Sequence, residues 1–144
     1  MPSLAATARV TLARRARLKV RRHAIAAAVL AVALHPGAHA LPQGGVPTFG
    51  QTQVSTQGAR MTIVQGSNRA GIDWRSFSLG NGEGLNIVQP SANAILVNRV
   101  FGPDPSTILG NLRANGRVFL SNPRGVVFGK GSMVDVGSLV ATTL

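Results

Sequence analysis

From residue 41 onward, apolar residues come in short runs that alternate with polar ones, and Gly, Asn, Pro or Ser cuts each run before it lengthens. No window keeps the three-to-four spacing of an amphipathic helix, so the pattern predicts an all-β chain. Candidate strands fall at Met61–Gln65, Gly71–Trp74, Leu85–Gln89, Ala94–Phe101, Thr107–Leu109, Arg117–Ser121, Val126–Phe128 and Met133–Val136, with a last short run near Leu139. The intervening GSN, GNGEG, PSAN, GPDP, RANG, NPRG and GKGS carry residues that accept positive φ or set a turn.

Two all-β architectures compete: an antiparallel sandwich or barrel, and a parallel β-helix in which each coil lies on the one before. The apolar centres Leu85 and Ile87 recur roughly 21 residues later at Ser106 and Ile108 and again near Val127, a spacing in the range of solenoid coils. Low charge also favours the β-helix, because stacked coils place like residues over like and repeated charges repel. Asparagines at 86, 93, 98, 111, 115 and 122 are placed to form amide ladders at turns, although each taken singly also reads as a solitary turn residue. Trp74, Phe77, Phe101, Phe119 and Phe128 read as core or coil-end packing rather than as a sugar-stacking face.

The first 40 residues carry a different pattern. Arg9, Arg14, Arg15, Arg17, Lys19, Arg21 and Arg22 precede an uninterrupted apolar run from Ala24 to Leu34. That run suits the h-region of a signal peptide and is too short to cross a bilayer core of about 30 Å as a helix. Pro36 and Gly37 break it, and Ala38 and Ala40 supply the small residues that a signal peptidase accepts, so cleavage is expected before Leu41. The expected partners are the Sec translocase and signal peptidase. Two Arg-Arg pairs raise the twin-arginine route, and a basic amphipathic helix is the competing reading, but the basic and apolar blocks are separated rather than interleaved. The sequence therefore divides into a helical, cleaved signal peptide at 1–40 and an exported domain at 41–144.

Charge looks different once the leader is set aside. The whole chain is formally +11, whereas residues 41–144 hold eight Lys and Arg against four acids. Those cations are spread singly from Arg60 to Lys130, so no phosphate-tracking groove and no nucleic-acid partner is expected. All three histidines (His23, His35, His39) lie in the leader, and the chain has no Cys and no Tyr. A nucleophilic triad lacks its base and a zinc site its usual ligands, so neither an enzyme, a metal nor a cofactor is expected. GNGEGL lacks the third Gly of a dinucleotide fingerprint, and GKGS carries Gly131 where a P-loop needs Ser or Thr.

An ordered set of motifs runs through the exported part. It comprises Val97-Asn98-Arg99-Val100, the S-x-I-x-G-x-L-x-A-N-G run from Ser106 to Gly116, the N-P-x-G turn Asn122-Pro123-Arg124-Gly125, and V-D-V-G-x-L-V-A-T-T from Val134 to Thr143. Upstream, LPQGG, IDWRSFSLGNGE and QPSA continue it. This set resembles the N-terminal secretion domain of filamentous-haemagglutinin-type exoproteins, the passengers of two-partner secretion in Gram-negative bacteria. The resemblance implies a right-handed parallel β-helix, held unfolded in the periplasm and recognised by the POTRA domains of an outer-membrane β-barrel transporter. It implies a destination at the cell surface or in the medium.

Asn98, Arg99, Asn115, Gly116 and Asn122-Pro123-Arg124-Gly125 are the residues it marks for transporter recognition or for the fold's turns. The family pattern has Asn where Arg124 stands, and Arg there is expected to forgo an Asx turn. Exoproteins of this kind continue far beyond such a domain, so the chain reads as a truncated product or fragment. A host-cell or glycan receptor would then be engaged only through C-terminal regions missing from it. Two alternatives stand beside this reading: a secreted β-helix enzyme acting on polysaccharides, for which Asp73, Glu83, Asp104 and Asp135 show no grouping in sequence, and a free-standing periplasmic binding module.

Overall fold

The computed structural model describes residues 40–144, and every regular element among them is a strand. The basic and apolar blocks assigned to the leader, with Ala38, lie outside the described residues. In chain order the strands are β1 (Val46–Phe49), β2 (Thr52–Gln57), β3 (Arg60–Gln65), β4 (Arg69–Trp74), β5 (Gly84–Val88), β6 (Ile95–Val100), β7 (Ser106–Ile108), β8 (Asn111–Ser121), β9 (Val126–Phe128) and β10 (Met133–Thr142). Strict alternation sets their inner faces. In β3, for example, Met61, Ile63 and Gln65 are buried while Arg60 and Val64 are exposed.

From β3 onward, consecutive strands do not pair with each other as hairpins; they turn corners, and each stacks in parallel on the next coil. One face joins β3, β5, the first part of β8 and the first part of β10. A second joins β4, β6 and the later parts of β8 and β10. A third, smaller face pairs β7 with β9 and bridges Leu79 to Ile108. Parallel strands need a crossover, and here the rest of each coil provides it. The result is a parallel β-helix of about four coils, and the sandwich is excluded.

Stacking brings inner residues into columns: Met61–Leu85–Leu112, Ile63–Ile87–Ala114 and Ala70–Leu96–Val118. The Leu, Ile and Val members of these columns are almost fully buried, each contributing about 1.5–3 kcal/mol relative to exposure. The solenoid period anticipated from sequence has the right scale but the wrong register. Leu85 and Ile87 stack on Leu112 and Ala114, whereas Ser106 and Ile108 lie on the third face of the same coil and stack on Val126 and Phe128. The coil is longer there than the apolar spacing suggests because the 89–94 turn adds residues without changing the pairing.

Two further features depart from the sequence reading. RANG was expected to be a turn, yet β8 runs through it: β8 pairs with β5 as far as Ala114 and with β6 from Arg117. The chain changes face at Asn115–Gly116 while staying extended. Gly116 is required for this, since a Cβ there would lie 2.7 Å from Gln89 Oε1 and 2.9 Å from the Ala94 carbonyl.

The second departure is β1 and β2, which pair antiparallel with β4 and β3 and cover the open edge of the first coil. Mostly exposed on both sides, they lack an apolar alternation and so give no strand signal in the sequence. An edge cap needs only backbone hydrogen bonds to do its work.

Candidate functional site

The N-P-R-G turn links β8 to β9. Asn122 is fully buried, and both ends of its amide are used. Oδ1 accepts the Arg124 N–H at 2.9 Å, while Nδ2 donates to the Asp104 carbonyl at 3.1 Å and to Ser106 Oγ at 3.0 Å. The Gly125 N–H donates to the Asn122 carbonyl at 3.0 Å, and Gly125 has φ of 113°, open to glycine and strained for other residues. Asn122 therefore forms an Asx turn of its own, one that does not depend on the side chain at 124. Arg124 contributes its backbone N–H, and its side chain and Pro123 are exposed.

Asn98 and Arg99 are neighbours in β6, so alternation sends them to opposite sides. Asn98 is fully buried in an otherwise aliphatic column between Ile72 and Leu120. Its Oδ1 accepts the indole N–H of Trp74 at 2.9 Å, and its Nδ2 donates to the Phe119 carbonyl at 3.3 Å. Arg99 points outward, donating to both carboxylate oxygens of Asp73 at 2.9 and 3.3 Å and lying 5.6 Å from the Phe101 ring centroid. Its register partner is Ser121, so the outer strip Asp73–Arg99–Ser121 leads directly into the N-P-R-G turn.

Asn115 and Gly116 serve the other end of the second face. The Asn115 side chain accepts the Gln89 N–H at 2.7 Å and donates to the Gln89 carbonyl at 2.8 Å. The Gly116 N–H donates to Gln89 Oε1 at 2.8 Å, and Gln89 Nε2 donates to Gln65 Oε1 at 3.0 Å. Gln65 Nε2 in turn donates to the Ile95 carbonyl at 3.0 Å. An amide ladder does line a corner, but it is built of glutamines.

Of the two readings of the asparagines, a ladder and separate residues, the second holds for Asn86 and Asn98. Asn86 stands beside Thr62 and Arg113, and Asn98 beside Ile72 and Leu120. The glutamine column does have a signal in the sequence, as MTIVQ at 61–65 and then LNIVQ at 85–89.

The residues marked by sequence thus divide by orientation. Asn98, Gly116 and Asn122 face inward and hold the coils in register, while Arg99, Asn115, Pro123 and Arg124 are exposed. The four acids lie on separate elements. Asp73 pairs with Arg99, Asp135 lies 4.0 Å from Arg113, Asp104 offers its carbonyl to Asn122, and the Glu83 carboxylate accepts backbone N–H groups. Among the described residues, no three His, Cys, Asp or Glu side chains gather as a metal-binding group. Of the residues assigned to leader cleavage, Ala40 is exposed and Leu41 is buried.

The model of the TPS secretion domain family matches residues 38–144. The heme/hemopexin-binding protein of Haemophilus influenzae strain Rd is 43% identical over 111 residues, covering 77% of this chain and 12% of that protein. A second Haemophilus influenzae heme/hemopexin-binding protein is 43% identical over 103 residues, covering 71% of this chain and 11% of its own length. The chain therefore spans about an eighth or less of these relatives. Among solved structures, the secretion domain of HMW1 from Haemophilus influenzae superposes with a TM-score of 0.69 at 30% identity, over 72% of this chain and 27% of that one.

Proposed function

The chain belongs to the TPS secretion domain family, and from that premise we propose that it is the secretion-targeting, β-helix-nucleating N-terminal domain of a surface adhesin or haemagglutinin-type exoprotein. Residues 1–40 serve as the signal peptide, read by the Sec translocase and cut by signal peptidase after Ala40. The remainder is taken up by the POTRA domains of a dedicated outer-membrane transporter and delivered to the cell surface or medium. The observation that supports this most is the polarity of the coil stack. β1 and β2 cover the edge of the first coil, which leaves the other direction for stacking. Each coil then templates the next in one direction, so folding outside the membrane can draw the chain outward without a nucleotide.

The exposed strip from Arg99 through Pro123 and Arg124 is the part of this surface we assign to transporter contact, with the inward residues preserving its shape. Neither role asks for catalysis, and the four acids on separate elements give the polysaccharide-enzyme alternative no paired carboxylates. Heme or hemopexin binding, named for the relatives, is assigned to segments outside the matched domain. Residues 41–144 contain no His, Cys or Tyr, three of the usual axial ligands of heme iron. The test is to co-express the full chain with candidate transporters and assay the medium. Secretion that depends on one transporter is expected, and retention in the periplasm with all of them refutes the proposal.

A further inference from the structure

Glu83 precedes β5 and is 6% exposed. Its carboxylate accepts the Gly80 N–H at 2.8 Å and the Ala40 N–H at 2.9 Å through Oε1, and the Leu41 N–H at 3.2 Å through Oε2. Leu41 is itself part of the hydrophobic core, so the chain is anchored just inside its exposed Ala40. Backbone donors of this kind stabilise a buried carboxylate. Arg60 of β3 and Arg113 of β8 line the groove onto which Glu83 opens.

A role for the Leu41 nitrogen rests on the reading that signal peptidase cuts the Ala40–Leu41 bond. Hydrolysis breaks the C–N bond and places the hydroxyl of water on the Ala40 carbonyl carbon, so that Ala40 leaves with the leader as a carboxylate. The Leu41 nitrogen takes up both protons of that water, the second released as the new Ala40 carboxyl ionises, and becomes an α-ammonium, ordinarily protonated up to a pKa of about 8. We propose that Glu83 is the receptor site for this new ammonium. Processing turns an amide–carboxylate hydrogen bond, charged only on the acceptor side, into a buried ion pair charged on both sides. It adds an ionic tether to a Leu41 that is already buried in the core. Glu83 thereby couples leader removal to a stronger hold on the N-terminal end of the β-helix.

The exported, processed protein has two amines, the Leu41 α-amine and the Lys130 side chain, because the chain's other lysine, Lys19, lies in the leader. Intact mass and N-terminal sequencing come first; a start other than Leu41 overturns both the cleavage reading and this inference. With Leu41 first, brief acetylation at neutral pH is read site by site by peptide mass spectrometry. A free α-amine outpaces lysine here because far more of it is unprotonated.

Leu41 is expected to react at least ~10-fold more slowly in the native protein than in urea, and Glu83→Gln to restore at least ~10-fold, as for a pKa shift of one unit. Lys130 should be unchanged between the two native proteins. Fast labelling of native Leu41, or protection that persists in Glu83→Gln, overturns the ion pair while leaving the cleavage reading intact. Should Glu83→Gln fail to fold, wild-type protein acetylated at Leu41 must unfold at lower urea than the unmodified protein. An unchanged midpoint overturns the proposal.

Discussion

Replacing Asn98 with leucine makes the column Ile72–Asn98–Leu120 wholly aliphatic, and simple hydrophobicity predicts a more stable protein. The hydrogen bonds predict the opposite. Trp74 is 2% exposed and its indole N–H has Asn98 Oδ1 as acceptor at 2.9 Å. Removing that acceptor leaves a buried donor unsatisfied at about 1–3 kcal/mol, and the Phe119 carbonyl loses a second partner. The added apolar side chain offsets part of this, at most about 1.5–3 kcal/mol for a fully buried leucine, and less here because the site is already packed.

We expect Asn98→Leu to be destabilised by about 1–2 kcal/mol on balance. The sharper readout is the pair. Trp74→Phe alone leaves Asn98 Oδ1 without its donor, but in the double variant both polar partners are gone, which is nearly neutral for a matched replacement. The double variant should therefore be more stable than the sum of the two single losses by about 1–2 kcal/mol. Urea denaturation monitored by far-ultraviolet circular dichroism measures all four proteins on the same signal. Additive losses, or an Asn98→Leu protein more stable than wild type, would refute the claim that the buried amide is there to satisfy the indole.

Gly116→Ala places a Cβ against Gln89 Oε1 and the Ala94 carbonyl, and overpacking of this kind should lower stability by about 1–3 kcal/mol in the same assay. Asn122→Ala removes three hydrogen bonds from a fully buried side chain and should cost about 2–4 kcal/mol. Arg124→Ala keeps the turn's backbone bonding and should leave stability within about 0.5 kcal/mol of wild type. Secretion with the cognate transporter then separates shape from recognition: the contact assigned to Arg124 requires reduced export at unchanged stability, and normal export removes it. Arg99→Ala breaks an exposed ion pair with Asp73, half of it 47% exposed, and after solvent screening should change stability by no more than about 1 kcal/mol.

Where the sequence reading succeeded, the signal was local. Met61, Ile63, Leu85, Ile87 and Leu96 alternate with polar or outward-facing neighbours, and alternation is enforced by the geometry of a single strand. The N-P-x-G turn was equally legible, since Pro123 and Gly125 state their backbone requirements on their own. Where the reading failed, the deciding partner was distant. RANG has the composition of a turn, but Gly116 is there to pass beneath Gln89, 27 residues away by contact and invisible to a window around it. β1 and β2 carry no pattern because the first coil, not a core, holds them. The glutamine column had a signal in the paired MTIVQ and LNIVQ, but glutamine is no turn former, so composition alone pointed to asparagine instead.

By itself, then, the sequence determined the class of structure: strands from period-two alternation and turns from Gly, Pro and Asn. Tertiary structure decided which residues stack on which. Register in a β-helix is set between coils, by the length of intervening turns and by inward polar groups finding partners in the coil above or below. That is why Asn98 meets Trp74, Asn122 meets Ser106 and Glu83 meets the backbone of Leu41. Each of these contacts joins residues separated in sequence, and the free energy that selects them exists only once the coils are stacked.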